Sequence, residues 1–151
     1  MRVAVAADHA GVPLNEIVIA ELGRLGHEVL DLGTHDPSTP DDYPDRARDI
    51  GAAVLNQQAE RGILICGSGV GASVAANKIV GIRAGLCHDH YSAHQGVEHD
   101  NMNILCFGAR VIGQETAIDL VQAFMAAKFT NEERHVRRLH KVDLIESSRG
   151  K

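Results

Sequence analysis

Ile63-Leu64-Ile65-Cys66-Gly67-Ser68-Gly69-Val70-Gly71 decides the fold. A short, unbroken aliphatic run ends in a thiol, and glycines follow at every second position. Such a run is too short for a helix and is uniformly apolar, as expected of a strand buried on both faces. The glycines then predict a tight turn into a helix that begins near Val70. Four further runs have the same character, at 3–7, 29–32, 82–87 and 104–107. Between them the spacing changes. Leu14, Ile17, Val18, Leu22 and Leu25 follow the 3–4 step of an amphipathic helix, with Pro13 suited to its first turn and Gly26 to its end. Ala117, Leu120, Val121 and Phe124 repeat the pattern. Strands alternating with helices predict an α/β fold, a parallel sheet covered on both faces. A last helix, over roughly 131–147, is an addition to that unit.

Composition narrows the function. The 151 residues fit one domain, taken as 1–151, with a single core. Aromatic residues make up 3% and there is no Trp, so the core is aliphatic. The net charge of -5 argues against general nucleic-acid binding, which requires a basic surface and usually stacking aromatics. Cys66, Cys87 and Cys106 form no CxxC pair and no zinc spacing. An odd count without a secretory signal predicts a reducing, cytoplasmic location. Met1-Arg2-Val3-Ala4-Val5 runs straight into the first strand. No apolar run reaches the roughly 18 residues needed to span a bilayer, so no membrane association is expected.

Open parallel sheets bind ligands beyond the carboxyl ends of their strands. The residues at those ends here carry chemistry. Asp8 and His9 follow the first strand, Cys66 to Gly71 the third, His88, Asp89 and His90 the fourth, and Gly108 and Arg110 the fifth. A thiolate at Cys66 would face the positive end of the helix dipole. The competing reading is a small apolar residue closing a buried strand, and it suits Cys87 and Cys106 well. For Cys66 the adjoining glycines favour chemistry. Gly67, Ser68, Gly69, Val70 and Gly71 form a turn whose successive N–H groups can hold an anion. The same text matches G-x-G-x-x-A weakly, because a dinucleotide fingerprint belongs after a first strand.

The segment Arg134-His135-Val136-Arg137-Arg138-Leu139-His140-Lys141 contains no acidic residue. On a helix Arg134 and Arg138 share a face, as a phosphate clamp or simply as a solvated basic surface. His90 and His94 have metal-ligand spacing but no third ligand at a familiar offset, so no metal site is expected. The loop at 33–44 is long and rich in turn residues, a pattern shared by functional and by mobile loops.

Taken together, Asp8-His9-Ala10-Gly11, Ile65 to Gly71 with Ala75-Ala76-Asn77-Lys78, Tyr91-Ser92-Ala93, His99, Phe107 to Gly113, and Arg134-His135 with Arg138 resemble the ribose-5-phosphate isomerase B family. This family sits in a superfamily with the galactose-6-phosphate isomerase subunits. The resemblance covers almost the whole chain. It implies a three-layer Rossmann-like fold with a five-stranded parallel sheet and an additional C-terminal helix. It implies interconversion of ribose 5-phosphate and ribulose 5-phosphate in the pentose phosphate pathway, without metal or organic cofactor. It also implies a homodimer, sometimes a tetramer, with active sites shared between subunits.

Residue by residue, Cys66 matches the proton-transferring base and His99 the ring-opening acid/base. Asp8 and His9 match positions around the sugar ring and phosphate, and Gly67 to Gly71 the anion-holding turn. Arg110, Arg134 and Arg138 match ligand- and phosphate-binding positions. Asp100 stands where several relatives have Asn, which sets a carboxylate beside the expected sugar phosphate. Ala72 and Ser73 stand where some branches carry a catalytic Glu, so the cysteine mechanism is the one that fits. The rival expectations are the same chemistry on allose 6-phosphate, galactose 6-phosphate or a tetrose phosphate, and a sugar-phosphate-binding module without activity.

Overall fold

The computed structural model describes residues 1–148; residues 149–151 of the expected domain lie outside the described residues. The elements follow the predicted alternation. They are β1 (Arg2–Ala7), α1 (Val12–Arg24), β2 (Glu28–Asp31), α2 (Tyr43–Leu55), β3 (Arg61–Cys66), α3 (Val70–Ala76), β4 (Ala84–Leu86), α4 (His90–Asp100), β5 (Ile104–Gly108), α5 (Gln114–Ala126) and α6 (Glu133–Ser147). All strand pairs are parallel and the sheet order is β2-β1-β3-β5-β4.

Two-residue alternation sorts the aliphatic side chains into two cores. Val3, Val5 and Ala7 of β1 pack with Leu14, Val18 and Leu22 of α1, Val97 of α4, and Leu120 and Phe124 of α5. Ala4 and Ala6 face the other way, onto Ala47 and Ile50 of α2 and Ala72 and Ala76 of α3, in the cluster that also holds Leu64 and Cys66. The sheet is therefore the middle of three layers. Each fully buried Leu, Ile, Val or Phe is worth about 1.5–3 kcal/mol over its exposed state, so the absence of Trp costs the core nothing essential. α6 stands apart from both layers and packs on α4.

Two expectations are corrected in detail. The fourth strand is shorter than 82–87, because the chain turns at its start: the Ile82 N–H donates to the Ile79 carbonyl at 3.1 Å. Ile82 is buried in the α2/α3 core from that turn. At the other end of the strand, the Cys87 N–H still pairs with the Cys106 carbonyl at 3.0 Å. The long loop also ends earlier than 44, since Tyr43 and Pro44 already form the first turn of α2.

The connections place a switch point in the sheet. From β1 the chain moves outward to β2, and from β3 it moves to the opposite side, to β4 at the far edge. β1 and β3 are neighbours, with Ala7 opposite Ile65. Their carboxyl ends therefore bound the crevice where open α/β sheets bind ligands.

Candidate active site

Asp8 is the first residue beyond β1, and its own N–H continues the ladder to the Ile65 carbonyl at 3.1 Å. Its side chain is buried and accepts from the N–H groups of Gly11 at 2.9 Å and Ala10 at 3.0 Å. Burial pushes this carboxyl above its ordinary value, and the two donors offset only part of the effect. A carboxyl moved toward neutrality is suited to exchanging protons.

Cys66 closes β3 next door. Its carbonyl accepts from the Ala109 N–H, and the Gly67 carbonyl accepts from the Arg110 N–H, both at 2.9 Å. Its sulfur receives the N–H of Gly69 at 3.0 Å. That contact depends on the turn. Gly69 has φ +80°, and a Cβ there would stand 2.5 Å from Leu86 Cδ1 and 2.8 Å from the Phe107 backbone. Ser68 Oγ accepts from the Val70 N–H at 3.3 Å as α3 begins.

A cavity of about 360 Å³ opens at this point, lined by Asp8, His9, Ala10, Tyr43, Cys66, Gly67, Ser68, Gly71, Arg110 and Val111. Seven of the expected site residues thus meet: Asp8, His9, Cys66, Gly67, Ser68, Gly71 and Arg110. Gly69 shapes the turn without lining the cavity, and Val70, half-exposed, does not line it either. Sequence reasoning missed Ala10, Tyr43 and Val111 as lining residues. Tyr43 reaches the cavity because its ring lies over Gly71, where a Cβ would come within 2.7 Å of Tyr43 Cζ. The glycine at 71 and the aromatic at the end of a long loop were the available signals.

The other cysteines fit the inert reading. Burial pushes the Cys87 thiol up to about 11 and the Cys106 thiol still higher.

The remaining expected residues form a second group on α4 and α6. His99 stacks on the buried His135, ring centroids 4.0 Å apart, and its Nδ1 meets Gln95 Nε2 at 2.7 Å. Arg134 and Arg138 are exposed on α6 beside His135; Arg134 pairs with Glu132 at 2.8 Å. Asp100 lines a different cleft, together with Met102, Leu139 and Val142. None of His99, Asp100, Arg134 and Arg138 lines the Cys66 cavity of its own chain. The exposed His90 pairs with Asp119 at 2.9 Å, and His94 with Glu98 at 3.3 Å. Among the described residues, no three His, Cys, Asp or Glu side chains gather as a metal-binding set. Among them, too, no helix is long and apolar enough to cross a membrane.

A thiol, a buried carboxyl, an imidazole and a guanidinium around one cavity at the switch point can bind an anion and move protons on a small polar ligand. Comparison with known proteins places the chain as a whole. The chain is 41% identical over 149 residues to ribose-5-phosphate isomerase B of Escherichia coli (strain K12), covering 99% of both chains. It is 38% identical over 130 residues to D-erythrulose-4-phosphate isomerase of Pectobacterium atrosepticum, covering 85% of each. The solved structure of Clostridium thermocellum ribose-5-phosphate isomerase B superposes with a TM-score of 0.93 at 40% identity, over 97% of this chain and 98% of that one. The fold and these relatives together define a sugar-phosphate isomerase. A family model described as Ribose/Galactose Isomerase matches residues 3–142, and the chain belongs to that family.

Proposed function

We propose that the protein interconverts ribose 5-phosphate and ribulose 5-phosphate through an enediolate, with Cys66 as the base. The observation that carries this reading is the placement of Cys66 beside Asp8 at the switch point, its sulfur tethered by the Gly69 N–H, in one cavity with His9, Ser68 and Arg110.

The aldose arrives mostly as a closed ring. His99, with Asp8, moves the proton of the anomeric hydroxyl to the ring oxygen, and the C1–O bond to the ring breaks. The Cys66 thiolate then takes the proton from C2. The electron pair forms the C1–C2 double bond of the enediolate, and charge grows on oxygen. N–H groups of the turn and the Ser68 hydroxyl stabilise that charge. The thiol returns the proton to C1 as the proton of the O2 hydroxyl passes to O1, which leaves a hydroxyl on C1 and the ketone at C2. His9, Arg110, Arg134 and Arg138 bind ring hydroxyls and phosphate, which orients the reacting carbons.

This assignment requires a second subunit. His99, Asp100, Arg134 and Arg138 are absent from the lining of their own chain's cavity. The same chain leaves Val142, Leu144 and Ile145 of α6 and Val70 and Val74 of α3 exposed. In the homodimer we propose, α4 and α6 of one subunit complete the cavity of the other, and dimers pair further where a tetramer forms. A second reading, turnover of a tetrose phosphate, is favoured by the 38% identity to the erythrulose-4-phosphate isomerase.

The test is a substrate panel on purified protein: ribose 5-phosphate, allose 6-phosphate, galactose 6-phosphate and erythrulose 4-phosphate. Ribose 5-phosphate is expected to have the highest kcat/KM. A higher value for erythrulose 4-phosphate would move the assignment to the second reading.

A further inference from the structure

The long loop returns at Asp41 to His9, a residue that lines the cavity, and makes a set of contacts with it. The His9 backbone N–H donates to Asp41 Oδ1 at 2.7 Å. His9 Nδ1 lies 3.1 Å from the same oxygen. The Asp41 backbone N–H lies 3.3 Å from His9 Nδ1, directed at it as a donor. We infer that Asp41 is a positioning residue for ligand binding, holding the His9 ring by Nδ1 so that Nε2 is the nitrogen left to meet the substrate. This inference rests on the proposed role of His9 at the sugar phosphate.

The chemistry of imidazole explains why both contacts matter. Nδ1 carries a hydrogen in one neutral tautomer and in the cation, and then donates to the Asp41 carboxylate. In the other neutral tautomer it bears a lone pair, and the Asp41 N–H supplies the donor. Asp41 therefore offers a partner to Nδ1 in every protonation state. His9 Nε2 has no partner among the described residues, although His9 lines the cavity. A carboxylate near a phosphate site would ordinarily repel the ligand. Here Arg46 Nε lies 3.8 Å from Asp41 Oδ2, which is buried and otherwise unpartnered. Arg46 is itself anchored, donating to the Leu32 carbonyl at 2.9 Å and pairing with Asp49 at 3.3 Å. The charge of Asp41 is thus matched from behind, by a residue of α2 that also holds the chain just beyond β2.

The experiment combines kinetics with ring-nitrogen NMR on Asp41→Ala, Asp41→Asn, His9→Ala and the Asp41→Ala/His9→Ala pair. Asp41→Ala is expected to raise KM for ribose 5-phosphate about tenfold with kcat little changed, the size of one lost charge-assisted contact. Asn keeps the Oδ1 acceptor and the backbone donor, so Asp41→Asn should recover most of that loss. The double variant should be no worse than His9→Ala, because Asp41 acts through His9. Independently of turnover, the ¹⁵N resonance of His9 Nδ1 should move in Asp41→Ala and return in Asp41→Asn.

Penalties that multiply in the double variant would overturn the inference, as would an unmoved Nδ1 resonance. A KM unchanged in Asp41→Ala but raised in His9→Ala would overturn it and leave the isomerase reading intact. Wild-type protein that turns over no ribose 5-phosphate, yet shows the Nδ1 shift, would overturn the substrate assignment and uphold the hold of Asp41 on His9. If Asp41→Ala does not fold, Asp41→Ser removes the carboxylate reach while keeping a polar side chain, and the same outcomes apply to it.

Discussion

The ring of His99 lies on the ring of His135, centroids 4.0 Å apart and planes inclined by 29°. Thr130 Oγ1 holds His135 Nδ1 at 2.7 Å, and His135 Nε2 is buried without a hydrogen-bond partner. Burial first, and then the neighbouring His99, Arg134 and Arg138, push His135 below its ordinary value, against the opposing pull of Glu132. His135 is therefore a neutral platform on which the proposed ring-opening residue rests.

The sign of the resulting pH effect is fixed. The unfolded chain takes up a proton at His135 near pH 6.5, and the folded chain only at lower pH. Stability supplied by the neutral ring is present above that value and is lost as pH falls below it toward the folded value. His135→Phe keeps a stacking ring without the titration. Urea unfolding of both proteins from pH 8 to pH 5 should show a smaller loss in the variant. Parallel losses would contradict the account of His135.

Gly69→Ala tests the turn that carries the sulfur contact. The left-handed φ of +80° costs an L-residue about 1–2 kcal/mol before any contact is counted, and the added Cβ meets the Phe107 backbone. Urea unfolding should show a loss of at least that size, together with a fall in kcat as the N–H donor leaves Cys66. Unchanged stability would mean that the turn adopts another path.

Subunit exchange tests the shared site. Homodimers of Cys66→Ala and of His99→Asn should each be inactive, since every site lacks one group. In a mixed dimer with the two groups drawn from opposite chains, one site carries both defects and the other carries neither. Activity should return toward half of the wild-type value per heterodimer. Confirmed exchange without recovery would place both groups in one chain's site and refute the shared arrangement.

The fold was largely legible because its signals are local. Aliphatic runs such as Ile63 to Cys66 and helical spacing such as Leu14, Val18 and Leu22 report burial without any distant partner. β4 was overextended because Ile82 is apolar for a different reason: it fills the core from a turn. Cys66, Asp8 and the glycine turn were legible because a parallel sheet puts ligand chemistry at its strand ends. Tyr43 and Asp41 were not, since nothing periodic marks where a long loop returns to the sheet. The His99–His135 stack depends on how α6 docks on α4, which neither helix encodes alone.

The measurement that bears most directly on the central claim is made on Cys66→Ala with ribose 5-phosphate. Formation of ribulose 5-phosphate is followed spectroscopically, and binding of the aldose is measured in parallel by calorimetry. A base that moves a proton contributes to rate far more than to affinity, so loss of the thiol should lower kcat by about 10²-fold or more while the dissociation constant stays within a few-fold. Turnover by Cys66→Ala at the wild-type rate would contradict the account.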